Sequence, residues 1–470
     1  MAVPALLFET AELMAPLAAA TGLAPSMLLF LLCFFVSVPT TMLLALVQGT
    51  RMRQLYAFAT GFVLLYTAFG EGVKHIYFPA LVSYLTMALF PKYCGALTWA
   101  TVFPYLIAVH YTNASGDTWK EGGMDFTGAA MVATLKIISC AVNYQDGKTL
   151  AKSKMTPTQA KLHITKLPDP LEYASYLVGC GSLLVGPAFE VRDWLMFIAK
   201  QDVWKGSYDA ITRKARLPGL ACFGESLVWL VLHLYLDTVC PLSTVNTPWY
   251  ATLNIPSKLV VMVACCFVSR CKYYFSWKLS ESALIFCGFG YQKDARGVDR
   301  WDRLSNARPL AVEACSSAAK LPDAWNIQTS LWLRYYVYER LVRPGAKPGY
   351  FQVLVTQLVS GIWHGLFPGY LFFFTSSSLL FEAAKVVFRW EKAFRERAPA
   401  VANALMASNF LLTVINLNYS AIPFLLVDYA PGIAVWSSVY YIPHVEMLAI
   451  CILGAVVKAP KAPGSRRKSS

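Results

Sequence analysis

Gln357, Ser360 and His364 stand among the polar side chains of the mostly apolar run Phe351 to Phe374. Their spacing of three and then four residues sets them on one stripe of a helix. Polar groups in an apolar run of that length are costly unless they face a cavity or a partner, so the stripe is expected to line an interior. Histidine titrates near physiological pH, and in its neutral form it can take a proton from a hydroxyl. His364 follows Trp363 and precedes Gly365, Pro368 and Gly369, where a helix can loosen and leave room for a substrate. The bland alternative is a core histidine hydrogen-bonded across helices, and the residues alone leave both readings open.

Lys136, Glu190 and Glu225 are the other unusual charges inside apolar stretches, and each is read first as half of a structural ion pair. His233 reads as a core histidine, whereas His75, His110, His163 and His444 lie at segment ends and are expected to be less enclosed. There is no G-x-S-x-G elbow, no phosphate-binding loop and no dinucleotide fingerprint. Cysteines such as Cys33, Cys180 and Cys287 read as small buried hydrophobes. Cys265, Cys266 and Cys271 lack metal-ligand spacing, so neither a metal site nor a disulfide framework is expected. The chemistry these residues support is a reaction that needs a base and a hydrogen-bond donor, such as attack of an alcohol on a thioester.

The elements that hold these groups must be membrane helices. Of 470 residues 56% are hydrophobic and 14% charged, more apolar surface than a soluble core can hide. Runs of spanning length occur at Ser26–Val47, Leu171–Phe189, Leu217–Leu236, Met406–Val427 and Ile433–Val457. Shorter ones lie at Leu55–Phe69, Ile76–Phe90, Gly95–Val109, Phe126–Val142 and Leu259–Val268, and His364 adds its own run, for about eleven spans in all. None alternates as a barrel strand would, so an all-α polytopic bundle is expected. No internal repeat of the transporter kind is evident, and the polar stretches between runs are too short for a soluble domain.

The net charge of +14 would suggest nucleic acid in a soluble chain; here it marks cytosolic loops, and no nucleic-acid partner is expected. Residues 1–25 carry Glu9 and Glu12 without Lys or Arg, while Arg51 and Arg53 follow the first run. This places 1–25 in the lumen, 26–457 as one membrane domain and 458–470, with Lys458, Lys461, Arg466, Arg467 and Lys468, in the cytosol. The basic end is a cue for the endoplasmic reticulum membrane. Asn113-Ala114-Ser115 matches a glycosylation sequon of the kind that also arises by chance.

Trp332–Leu341 reads as an amphipathic interfacial helix with Trp332, Leu333, Tyr336 and Val337 on one face. The stretch WNIQTSLWLRYYVYERL (Trp325–Leu341), followed by FQVLVTQLVSGIWHGLFPGY (Phe351–Tyr370), resembles the paired signature of the membrane-bound O-acyltransferases. Within that family it is most similar to plant and algal lysophosphatidylcholine acyltransferases. Supporting stretches are DFTGAAMVATLKIISCAVNYQDG (Asp125–Gly147), LVGPAFEVRDW (Leu184–Trp194) and WDRLSN (Trp301–Asn306).

The resemblance implies a helical bundle with an internal tunnel, acyl-CoA as co-substrate, no bound cofactor and a lysophospholipid acceptor drawn from the bilayer. It implies that His364 is the catalytic histidine and that Asn326, 38 residues earlier, is its polar partner. Gln328, Trp332, Arg334, Arg340, Gln357, Ser360, Trp363 and Glu190 are further candidates for contacts with substrate. Two rival readings remain: the same fold acting on diacylglycerol, a sterol or a protein, and a polytopic transporter. Acyl-CoA consumption separates the transporter from the enzyme, and a panel of acceptors separates the enzymes from each other.

Overall fold

The computed structural model describes residues 14–114, 125–342, 346 and 349–460. The basic tail from Lys461, Glu9 and Glu12, and Ser115 of the sequon lie outside the described residues. The chain is helical almost throughout; among the described residues strand is confined to a hairpin pairing Gln292–Lys293 with Asp299–Arg300.

Among the described residues five helices are long and apolar enough to cross a bilayer: Pro25–Leu46, Arg216–Asn246, Ile255–Phe286, Pro368–Phe394 and Pro399–Leu426. Tyr429–Ser437 and Ile442–Val456, bent by 74°, make a sixth if taken as one span. The larger number expected from sequence also counted shorter segments. These fold as the helices Thr50–Phe69, Lys74–Leu89, Cys94–Ala114 and Thr127–Thr149, which lack that combination of length and apolarity.

Two expectations are corrected. Leu171–Phe189 is not one span: helix Pro170–Val178 ends at a turn in which Cys180 and Gly181 are left-handed (φ 61° for each), and Ser182–Val185 ends at Gly186 (φ 98°). Left-handed backbone cannot continue a right-handed helix, however apolar the side chains. Leu259–Val268 is conversely part of the N-terminal half of a 32-residue helix, Ile255–Phe286. Its charges hid its length; Lys278 is ion-paired with Glu225 and Glu281, and Arg270 with Glu313.

The chain forms two compact units. One comprises the described residues up to Val228 together with Phe275–Asn306. Its interior includes an aromatic cluster in which Phe197 stacks on Phe289 at 4.5 Å and Phe189 on Trp194 at 5.5 Å. Gly61 lets the Thr50–Phe69 helix approach the Val178 carbonyl so closely that a Cβ would lie 2.2 Å from its oxygen. The other unit comprises Trp229–Tyr274 and the residues from Ala307 onward. Its core packs Met262, Cys266, Tyr419, Ile422 and Trp436. Helix Pro368–Phe394 runs against Pro399–Leu426, and Gly369 sets their approach: a Cβ there would lie 2.0 Å from the Pro423 oxygen.

Candidate active site

Helix Tyr350–His364 carries Gln357, Ser360, Trp363 and His364, so the stripe read from spacing is a continuous helical face. Ser360 and Trp363 are buried, and Gln357 and His364 are half-buried. His364 is the last residue of this helix. The next residue, Gly365, has φ 127°, a backbone that side chains rarely adopt, and its N–H closes on the Ile362 carbonyl at 3.0 Å. The chain then turns through Phe367 into Pro368, whose fixed φ suits the first turn of the following helix.

This turn wraps the imidazole in aromatic rings. Phe374 stacks on His364 at 5.4 Å, Phe424 meets it edge-on at 5.1 Å, Trp363 at 4.8 Å, and Tyr370 lies 5.7 Å away. Phe374 and Phe424 come from the two helices locked together at Gly369. Nothing in their own surroundings distinguished these rings from lipid-facing phenylalanines; they are recognisable only through that packing.

Asn326 caps helix Ile327–Leu333 in the left-handed conformation (φ 45°, ψ 50°), and its carbonyl accepts the Ser330 N–H at 2.9 Å. Asparagine tolerates this region better than most residues. The preceding segment is held firmly: Trp325 bridges to Ala307, its N–H bonds to the Leu321 carbonyl at 2.8 Å, and its ring meets Tyr273 and Tyr274 edge-on, each at 5.7 Å. Asn326 is therefore a half-buried amide on a backbone fixed from both sides.

Of the further candidates, Gln328 is half-buried on the first turn after Asn326, and Trp332 is buried against Tyr336 at 5.5 Å. The interfacial segment is broken by a widened turn over Arg334–Tyr338, with Tyr336 and Val337 buried. Helix Tyr350–His364 packs on this turn, which brings the histidine and asparagine segments into one unit of structure. Arg334 is exposed and paired with Glu339 at 3.0 Å; Arg340 is exposed beside the Tyr336 ring. Glu190 belongs to the other unit, where its carboxylate accepts from the Asn143 amide at 2.9 Å.

Other charges and histidines have structural surroundings. Glu225 is ion-paired with Lys278 at 3.4 Å, as expected. Lys136 instead donates to the Leu177 carbonyl and to Ser182 Oγ, both at 2.9 Å, with Nζ 3.8 Å from the centre of the Phe189 ring. His233 bonds to the Val268 carbonyl at 3.1 Å, a core histidine. Two histidines expected to be open are enclosed: His110 is buried, and His444 has Ser376 Oγ at 2.8 Å on Nε2 and the Tyr419 hydroxyl at 2.7 Å on Nδ1. The bend before Ile442–Val456 swings His444 inward, because Tyr440 and Tyr441 are both left-handed.

A helical membrane chain with an imidazole at a helix end and a rigid amide on a neighbouring segment has the parts for acyl transfer without a covalent protein intermediate. The chain belongs to the membrane-bound O-acyltransferase family, whose profile matches residues 113–422. It is 37% identical to lysophospholipid acyltransferase 1 of Arabidopsis thaliana over 97% of this chain and 99% of that protein. It is 30% identical to the lysophospholipid acyltransferase of Schizosaccharomyces pombe over 93% and 88%. With membrane-bound glycerophospholipid O-acyltransferase 2 of Mus musculus it shares 28% identity over 87% and 80%. The protein is thus a membrane-embedded acyltransferase.

Proposed function

We propose that the protein transfers a fatty acyl group from acyl-CoA to the free hydroxyl of a lysophospholipid, giving phospholipid and CoA in phospholipid remodelling. The observation that carries this reading is the near full-length similarity to lysophospholipid acyltransferases, which includes both the Asn326 and the His364 segments.

In this mechanism neutral His364 takes the proton of the acceptor hydroxyl as its oxygen attacks the thioester carbonyl. The tetrahedral intermediate collapses with cleavage of the carbon–sulfur bond, and the imidazolium returns the proton to the departing thiolate, so no proton is gained or lost overall. Asn326, on its fixed backbone, donates to the developing oxyanion or holds the hydroxyl in line. The rings of Phe374 and Phe424 keep the imidazole in one orientation and limit water, which would otherwise compete with the acceptor. Gln357, Ser360, Trp363, Gln328 and Trp332 supply walls and hydrogen bonds for substrate, and Arg334 and Arg340 attract the anionic donor. The basic tail and the acid-containing N-terminus support a cytosolic C-terminus, a lumenal N-terminus and residence in the endoplasmic reticulum.

The test is transfer of labelled oleoyl-CoA to lysophospholipids, diacylglycerol and sterol by microsomes holding wild-type protein or His364→Ala at matched levels. Transfer to lysophospholipids, lost in the variant, is the expected result. Preference for diacylglycerol or sterol would overturn the acceptor, and full activity in the variant would overturn the base.

A further inference from the structure

The other enclosed cations of the first unit hold a carboxylate or two oxygens, and Arg53 holds neither. Arg303 has the Asp193 carboxylate at 2.8 Å, Lys278 has two glutamates, and Lys136 has two oxygens and a ring face. Arg53 is only 1% exposed; the Tyr208 hydroxyl is a partner of its guanidinium, and its Nη1 has an acceptor in the Leu44 carbonyl at 3.3 Å. Nε and Nη2 are buried without any. These two nitrogens form the side-on edge of the guanidinium, the edge that grips two oxygens of one oxyanion.

A second cation stands close by. Arg53 and Lys200 both lie over the Tyr208 ring, at 4.6 and 4.5 Å from its centre, and Phe197 faces Arg53 at 5.0 Å. Lys200 bonds only to the neutral Gln48 Oε1, at 3.4 Å; Asp209 attracts it without making an ion pair. Two like charges share one ring, and no carboxylate is paired with either among the described residues. The two ring faces offset part of the cost of burying Arg53 but leave its Nε and Nη2 donors idle. The backbone carrying Lys200 is itself strained: Lys200 and Asp202 are left-handed (φ 52° and 56°). Trp204 pins the far side of this turn through a 2.8 Å bond to the Gly288 carbonyl. Strained non-glycine backbone of this kind gathers at ligand sites.

We propose that Arg53 and Lys200 form a phosphate-binding site, with the Nε/Nη2 edge of Arg53 taking two oxygens and Lys200 a third. Gln48 is exposed and Lys200 half-buried, so the site opens when Lys200 releases Gln48 and turns inward with the anion. A phosphate group fits better than a carboxylate, because its third oxygen and second charge match the second cation. The phosphate can belong to the nucleotide end of an acyl donor, to a phospholipid headgroup or to free phosphate. Arg53 precedes the segment matched by the family profile and Lys200 lies within it.

The experiment is equilibrium binding to the detergent-solubilised full chain, which requires no acyl transfer. The probes are adenosine 3′,5′-bisphosphate, glycerophosphocholine and inorganic phosphate, against wild type, Lys200→Ala, Arg53→Lys and, as control, His364→Ala. Size-exclusion profiles establish that each variant is folded; Lys200→Ala, at a half-exposed position, keeps the test valid if Arg53→Lys misfolds. At least one probe is expected to bind wild type, more weakly at higher salt. Its affinity should fall about tenfold or more in every folded Arg53 or Lys200 variant, as loss of a hydrogen bond to a charged group implies, and should hold in His364→Ala. The tightest probe identifies the source of the phosphate. No binding by wild type, or unchanged affinity in either folded variant, overturns the proposal. Failure of the acyltransfer reading would appear only in the transfer assay.

Discussion

Lys136 and His364 both place a polar side chain within apolar helices, and they differ in where the helix is. Lys136 sits in mid-helix of Thr127–Thr149, fully buried, with its ammonium tied to two oxygens and a ring face. His364 is the last residue before a glycine that no other residue replaces easily, half-buried and walled by aromatic rings. An intramembrane charge held from several sides is part of the scaffold, whereas a titratable group at a helix break is placed to meet a substrate. Mutations at the two positions should therefore fail in different ways.

The strongest test of that contrast is His364→Ala. Loss of a general base costs about 10²- to 10⁴-fold in rate, so kcat should fall by that order while the amount of folded protein and its Tm stay near wild type. A variant that loses protein in proportion to activity would put His364 on the same footing as Lys136.

Asn326 divides the contrast within one residue, because it contributes a left-handed backbone and a side-chain amide. Asn326→Gly keeps the backbone and removes the amide; Asn326→Ala loses both. For the loss of one oxyanion donor kcat should fall by about 10²- to 10³-fold in each. Only the alanine variant should also lose stability, by about 1–2 kcal/mol for forcing left-handed backbone. Near-normal turnover in Asn326→Gly would reduce the asparagine to a hinge. Thermal melts and steady-state assays on the same preparations separate the two losses.

How much of this could be read beforehand depended on whether the signal was local. Gln357, Ser360 and His364 announced their shared face by spacing, and Pro25–Leu43, Arg216–Val239 and Pro399–Leu426 announced themselves by length and apolarity. Helix Ile255–Phe286 did not, because Arg270 and Lys278 are admitted by glutamates distant in sequence. The break at Tyr440–Tyr441 was equally hidden, since these left-handed residues are not glycines, whereas at Cys180 the neighbouring Gly181 and Gly186 marked a turn that the apolar run around them masked. His444 was misplaced for the same reason: the bend that turns it toward Ser376 and Tyr419 is a backbone event. Unmatched Arg53 looked like any basic residue after a first span, and its orphan nitrogens are visible only in three dimensions.

Lys136→Met tests the scaffold side. Methionine nearly matches the volume but leaves the Leu177 carbonyl and Ser182 Oγ without their donor. Stranding such buried groups costs about 1–3 kcal/mol, so Tm and yield should drop while transfer per folded molecule holds. A fall in kcat at unchanged Tm would move Lys136 from scaffold to mechanism.

The smallest effect belongs to a charge on the rim. Asp169 caps helix Pro170–Val178 by accepting the Leu171 and Glu172 N–H groups, and it pairs with the exposed Arg51 at 2.7 Å. The hydrogen bond from Arg51 holds the Asp169 carboxyl below its ordinary value. A carboxylate with a depressed pKa in the folded state adds stability that is complete above its unfolded value, near 3.9, and fades as pH falls through the lower folded value. The pair's contribution to the melting temperature should therefore be constant between pH 5 and 8, with a decline specific to it only below about pH 4. Asp169→Asn separates pair from cap, because asparagine caps a helix about as well. Its Tm should lie slightly below wild type at pH 7, converge with it in acid and approach it in high salt, since an exposed pair is screened. A large loss at pH 7 that salt does not relieve would mean that Asp169 is held as Lys136 is, and that the boundary between rim and scaffold lies further out than burial suggests.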